Sequence, residues 1–114
     1  MAQIFTPSGE WNPYAYEKIS VSTTAIGPTV TTIAQSDGQN PVTARRARAA
    51  LVTVDATNPV RFRLDGGNPT ATDGHELLGN DEILIEGVDS VKKMRFIRSG
   101  GADATIHVTY YRTA

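Results

Sequence analysis

The sequence predicts an all-β protein with a single antiparallel β-sandwich or barrel-like domain, and three observations support this fold class. Short stretches alternate apolar and polar residues with the period of two that half-buried strands show. Asn-Pro pairs and Gly-containing turns separate these stretches roughly every ten residues, which indicates about seven to eight strands. No long stretch has helical periodicity. The length of 114 residues fits one domain.

The clearest strand pattern lies within residues 47–64. Val60, Phe62 and Leu64 alternate with two arginines, so the apolar side chains share one face and the arginines share the other. Further strands are predicted at residues 17–24, 29–34, 51–54, 82–86, 91–98 (with one bulge at residues 92–93) and 103–112. The predicted core comprises Ile19, Val21, Val52, Val54, Val60, Phe62, Leu64, Ile83, Ile85, Phe96, Ile106 and Val108.

The first sixteen residues differ from the rest of the chain. They have no period, and Pro7 and Pro13 interrupt both strand and helix patterns. The sequence therefore predicts an irregular N-terminal arm at residues 1–16 and a β-sandwich domain at residues 17–114. A disordered tail is normally poor in aromatic residues, whereas this arm carries Phe5, Trp11, Tyr14 and Tyr16. We expect the arm to dock, either on its own domain or on a neighbouring subunit.

Composition excludes several classes of protein. The net charge of −1 argues against a general nucleic-acid binder, so no nucleic-acid partner is expected. No apolar stretch approaches the length that spans a bilayer, and the first residues do not resemble a signal peptide, so no membrane partner is expected. The absence of cysteine excludes disulfides and thiolate metal sites and is more typical of an intracellular origin.

Charge is distributed in blocks. Residues 45–63 contain five arginines and one acid, residues 65–89 contain seven acids and no lysine or arginine, and residues 92–98 contain four basic residues. Neighbouring strands could pair these charges within one subunit. Alternatively, opposite blocks could meet between subunits of a homo-oligomer, for which a trimer is the expected state. The predicted partner-binding residues are Phe5, Trp11, Tyr14, Tyr16, Arg45, Arg46 and Arg48.

No catalytic, cofactor-binding or metal-binding residues are predicted. His75 lies near Asp73 and Glu76, but the second histidine, His107, has no neighbouring acid in the sequence, and no spacing places a third metal ligand. The acids Asp65, Asp73 and Asp81 do not have the spacing of an EF-hand. No serine lies in a G-x-S-x-G motif, and we expect a protein that is not an enzyme.

Residues 47–111 contain a distinctive order of motifs. An arginine-bearing strand ends in Asp-Gly at residues 61–66, and the string PTATDGH follows at residues 69–75. A short acidic strand lies at residues 82–86, and an ending that runs from Ile-Arg to Val-Thr-Tyr spans residues 97–110. This order resembles that of small virion structural proteins of tailed bacteriophages. None of the motifs is catalytic, so no site residue is carried over.

The resemblance implies a building block of a phage particle, located in the virion after assembly in the bacterial host cytoplasm. The expected role is a capsid decoration (cement) protein that binds and stabilises the head shell, with the major capsid protein or other virion proteins as partners. The alternative is a module of the tail, neck or a fibre that binds host carbohydrate or another virion protein. A third possibility is a small β-domain associated with an enzyme.

Overall fold

A computed structural model describes residues 11–29 and 47–113 of the chain. Within these residues the chain forms seven strands and one short helix. They are β1 (Trp11–Val21), β2 (Ala49–Val54), β3 (Val60–Arg63), β4 (His75–Leu77), β5 (Glu82–Glu86), α1 (Val88–Lys93), β6 (Arg95–Arg98) and β7 (Ala104–Thr113). Within these residues no helix is long and apolar enough to cross a membrane.

The strands form two antiparallel sheets. The four-stranded sheet has the order β1-β7-β2-β5, and the three-stranded sheet has the order β4-β3-β6. Buried residues from both sheets belong to one hydrophobic core, as in a β-sandwich. The predicted all-β antiparallel fold is therefore confirmed.

The predicted core is largely correct. Every predicted core residue is buried except Leu64 and Ile83, which are partly buried and pack against the core. Leu64 follows the last residue of β3, and Ile83 lies on β5 at the edge of its sheet, where fewer neighbours cover a side chain. Tyr110, which shares the inner face of β7 with Ile106 and Val108, is also fully buried.

The strand predicted at residues 91–98 is wrong in its first half. The chain instead forms α1 over Val88–Lys93 and then β6 over Arg95–Arg98. Gly87, at a φ of 106°, turns the chain out of β5, and its carbonyl accepts a helical hydrogen bond from the Val91 nitrogen at 3.1 Å. Val91 and Met94 are both buried, and their spacing of three residues is helical. The broken alternation in the sequence was therefore caused by a helical turn and not by a bulge.

The predicted irregular arm is wrong for residues 11–16, because Trp11–Val21 is one strand. Residues 1–10 of the predicted arm lie outside the described residues. Pro13 is tolerated because β1 is an edge strand. Pro13 lies opposite Tyr111, and the Tyr111 carbonyl accepts a hydrogen bond from the Arg48 nitrogen at 2.7 Å, on the side of β2. Because the backbone of Tyr111 bonds toward β2, the nitrogen of Pro13 faces the open edge of β1. The missing N–H of proline therefore removes no hydrogen bond between β1 and β7. The register shifts between Pro13 and Ala15, which makes Tyr14 the extra residue of a bulge.

β4 lies in a stretch for which no strand was predicted. The strand predicted at residues 29–34 lies outside the described residues, apart from Thr29.

Candidate functional site

The structure describes the side chains of only three of the predicted partner-binding residues: Tyr14, Tyr16 and Arg48. Phe5, Arg45 and Arg46 lie outside the described residues, as does the side chain of Trp11. Arg48 is exposed just before β2, and its backbone bonds two neighbouring segments: its nitrogen donates to the Tyr111 carbonyl, and its carbonyl accepts from the Gly87 nitrogen, each at 2.7 Å.

Tyr14 contacts other residues of its own chain. Its ring is half-buried, packs against the core and lies 5.6 Å from the guanidinium carbon of Arg112. Burial raises the pKa of the Tyr14 phenol to about 12, and the positive charge of Arg112 opposes that shift. Tyr14 therefore anchors the beginning of β1 on the sandwich.

Tyr14 should make stability depend on pH in alkaline solution. Its pKa is about 12 in the folded protein and about 10 in an unfolded chain. The stabilisation from its bound proton is complete below pH 10 and is lost as the pH rises from about 10 through about 12. We expect the urea midpoint of the wild type to fall between about pH 9 and about pH 11 by more than that of Tyr14→Phe. An identical fall in the two proteins would show that Tyr14 does not have this role.

A second polar network holds β1 against β7. The buried Tyr110 hydroxyl donates to Oε2 of Glu17, which also accepts the backbone nitrogen of Thr29 at 3.1 Å. The Thr29 hydroxyl donates to Oε1 of Glu17 at 2.6 Å. Burial, followed by the hydrogen bond to Glu17, raises the pKa of Tyr110. The Glu17 carboxylate therefore joins the edge strand, the central strand and the segment after β1.

Tyr16, His107 and Asp55 form a hydrogen-bonded chain on the outer face of the four-stranded sheet, which we call the Tyr16 cluster. The Tyr16 hydroxyl lies 2.6 Å from Nδ1 of His107, and Nε2 of His107 lies 2.8 Å from Oδ1 of Asp55. The planes of the two rings are 18° from parallel, and their centroids are 6.1 Å apart. A neutral His107 satisfies both contacts if Nε2–H donates to Asp55 and Nδ1 accepts from Tyr16.

The Tyr16 cluster holds an aromatic ring in place while leaving it accessible. Tyr16 is 57% exposed, and its hydroxyl is fixed by His107, which is in turn fixed by Asp55. A fixed aromatic ring loses little conformational entropy when another surface covers it. The sequence had indicated no acid near His107, because Asp55 lies 52 residues away in the chain.

The PTATDGH string forms a loop that lies over the outer face of the three-stranded sheet. Arg61 projects from β3 and donates from Nε to the Ala71 carbonyl at 3.0 Å and from Nη1 to the Gly74 carbonyl at 2.8 Å. We call residues 69–75, held in this way, the Arg61 loop. Thr70 and Asp73 exchange backbone hydrogen bonds at 2.9 and 3.3 Å.

Two further residues hold the base of the Arg61 loop. The Pro69 side chain is fully buried. Gly74 has a φ of 135°, and a Cβ at this position would lie 3.1 Å from the Phe62 carbonyl oxygen and 3.1 Å from Pro69, so only glycine fits without strain. The side chains of residues 71–73 at the tip of the loop are exposed. The motif residues thus give a fixed backbone to a loop whose tip is accessible.

Part of the charge pattern is satisfied within the subunit. Arg63 forms a bidentate ion pair with Asp65 at 2.6 and 3.0 Å, and this pairing, together with the Gly67 nitrogen, lowers the pKa of Asp65. Arg61 lies 3.8 Å from Glu76 on the neighbouring strand. The contact between Arg61 and Glu76 agrees with the first interpretation of the charge blocks, in which neighbouring strands pair opposite charges, whereas Arg63 and Asp65 are only two residues apart in the chain.

Three of the candidate metal ligands have other contacts. Oδ2 of Asp81 accepts the Leu78 nitrogen at 2.8 Å, Asp65 is paired with Arg63, and the His75 ring packs against Phe62 with centroids 5.3 Å apart. Within residues 11–29 and 47–113, no group of three or more histidine, cysteine or acidic residues is placed to hold a metal ion.

An open groove lies beside the Tyr16 cluster, at the end of the sandwich where β2 turns into β3. It has a volume of about 640 Å³, and its polar lining includes Thr53, Asp55, Thr57, Asn80 and Glu82. Asp55 belongs to both the groove and the Tyr16 cluster.

Comparisons of the chain with protein-family models, with curated proteins and with solved structures find no match.

Proposed function

We propose that the protein is a non-enzymatic structural component of a tailed-phage virion. In this proposal it decorates the outside of the head, where it binds the major capsid protein and stabilises the shell. The Arg61 loop is the observation that carries the proposal. The most distinctive part of the phage-like pattern, residues 69–75, forms a loop with an exposed tip. Hydrogen bonds from Arg61, and those between Thr70 and Asp73, fix the shape of this loop.

A loop of this kind is suited to binding a protein surface. Arg61, Pro69 and Gly74 already restrict its backbone, so little further ordering is needed when a partner covers the tip. The exposed side chains of residues 71–73 are small or short, which allows close approach of a flat partner surface.

The proposal is tested by measuring how much of the purified protein binds to phage heads that lack it. We expect the wild type to cosediment with the heads and to raise their resistance to heat. Thr72→Lys should abolish or strongly weaken binding, because it places a long charged side chain at the tip of the Arg61 loop. The folded stability should remain near that of the wild type, since exposed substitutions usually change stability by about 0.5 kcal/mol or less.

Ala102→Lys is the matched control, because it adds the same side chain to an exposed turn next to β7. This variant should bind as the wild type does. Equal binding by wild type and Thr72→Lys would contradict the role of the loop, and failure of the wild type to bind heads would contradict the decoration role.

The second candidate is a tail, neck or fibre module that binds host carbohydrate. It is favoured by the open groove, whose lining includes polar side chains and which has the exposed Tyr16 ring nearby. Sugars bind through hydrogen bonds to such polar groups and by stacking on aromatic rings. Binding of the wild type to host surface polysaccharide, combined with no binding to heads, would support this candidate.

A further inference from the structure

Both outer strands of the four-stranded sheet have an open edge within the described part of the chain. β1 pairs only with β7, and β5 pairs only with β2. An open edge presents a row of unpaired N–H and C=O groups that can accept another strand. These two edges lie on opposite sides of the same sheet.

The hydrogen-bond pattern shows which residues of β5 face outward from the edge. The Val54 nitrogen donates to the Asp81 carbonyl, and the Gly87 nitrogen donates to the Arg48 carbonyl. Odd-numbered residues on this strand therefore face β2, and Glu82, Leu84 and Glu86 direct their backbone groups toward the open edge.

The same reasoning applies to β1. The Asp55 nitrogen donates to the Thr105 carbonyl, and Tyr111 bonds toward β2, so the even-numbered residues of β7 bond toward β1. Their partners on β1 include Ile19 and Glu17. The backbone groups of Tyr16, Lys18 and Ser20 are thus directed toward the open edge of β1.

The two edges carry complementary side chains. The β5 edge has two carboxylates, on Glu82 and Glu86, on either side of Leu84, and Oε1 of Glu82 is buried without a hydrogen-bond partner in the described residues. The β1 edge has the exposed Lys18 beside the exposed Tyr16. Pairing of two β5 edges centred on Leu84 would place Glu82 opposite Glu86, and like charges directly opposite each other are destabilising.

We propose that the β5 edge of one copy of this chain pairs, antiparallel, with the β1 edge of a second copy. In the register that we infer, Glu82 lies opposite the second copy's Lys18, and Leu84 lies opposite its Tyr16. Glu82 and Lys18 form an ion pair, and Leu84 and Tyr16 form an apolar contact. All four residues direct their backbone groups toward an open edge, so the two strands can form backbone hydrogen bonds in this register. Because the contact is head-to-tail, it builds a ring if the rotation between copies closes. It concerns contact between copies and does not depend on the proposed binding to a capsid.

Charge exchange tests the pairing in solution without any phage particle. We expect the wild type to self-associate, and Lys18→Glu or Glu82→Lys alone to weaken association about tenfold, because each replaces attraction by repulsion. The double variant Lys18→Glu/Glu82→Lys restores opposite charges at every contact, so it should associate as the wild type does. Lys92→Glu, on the exposed side of α1, is the control and should leave association unchanged.

Cysteine pairs test the register. The chain contains no cysteine, and β1 and β5 of one copy are separated by two strands, about 14 Å. Lys18→Cys/Glu82→Cys should therefore form disulfides only between copies and give a covalent oligomer of defined size. Lys18→Cys/Lys92→Cys should not form such an oligomer.

Three results would overturn the inference. One is a wild type that remains monomeric at all concentrations. Another is a double charge variant that associates more weakly than either single variant. The third is strong hydrogen-exchange protection of the Leu84 amide in a monomeric species, which would show that the same chain covers the β5 edge.

Discussion

Phe62→Ala is expected to be about 3–5 kcal/mol less stable than the wild type, which is the range for truncating a buried aromatic residue. Phe62 is 5% exposed and lies between two rings, with centroid distances of 5.8 Å to Phe96 and 5.3 Å to His75. The smaller side chain would leave a cavity between β3, β4 and β6, because the surrounding strands can move only partly into it. Urea unfolding at constant temperature measures the difference.

Leu64→Ala is the control for that variant. Leu64 follows β3 with the same alternation, but it is only partly buried, so its truncation should cost clearly less, about 2 kcal/mol or less. Equal losses in the two variants would mean that Phe62 is not at the centre of the core. An unchanged stability of Phe62→Ala would contradict the packing of the two sheets described above.

Gly79→Ala is expected to have the second largest effect, a loss of about 2–3 kcal/mol or more. A Cβ at Gly79 would overlap the carbonyl oxygen of Ala56 and would lie 3.1 Å from that of Asp55. Both obstacles are backbone atoms of the turn between β2 and β3. The substitution must therefore separate two turns that the Asn80 nitrogen and the Val54 carbonyl hold together at 2.9 Å.

Gly101→Ala tests whether any loop glycine would have the same effect. A Cβ at Gly101 has no heavy atom within 4 Å, so this variant should keep the stability of the wild type to within about 0.5 kcal/mol. A thermal or urea unfolding comparison of the two variants measures the difference. If Gly79→Ala unfolds together with the wild type, the close contact between the two turns is wrong.

Strands were predicted correctly from the sequence where one face is buried over several residues. β3, β7 and residues 51–54 of β2 show clear alternation, because their inner residues are buried while their outer residues are only partly buried. β5 instead has three consecutive apolar residues between two glutamates. α1 was missed because six residues show too little of a helical period, and its signal rests on two buried positions, Val91 and Met94. The rule that proline breaks a strand failed at Pro13, because that rule applies to strands paired on both sides.

The candidate site depends on contacts that no local pattern records. Tyr16 and His107 are 91 residues apart, and His107 and Asp55 are 52 residues apart, so only the pairing of β1, β7 and β2 brings them together. The sequence showed the motif of the Arg61 loop but not the contacts that fix its shape. Arg61 bonds the carbonyl oxygens of Ala71 and Gly74, and every residue type offers a carbonyl.

The virion role is tested most directly by a reconstruction of phage heads with and without the bound protein, at a resolution that separates the sheets of a sandwich. We predict additional density on the outer surface of the capsid, of the size of this β-sandwich, with the tip of the Arg61 loop at the shell. Density only on the tail, neck or fibres, or heads that are identical with and without the protein, would contradict the decoration role.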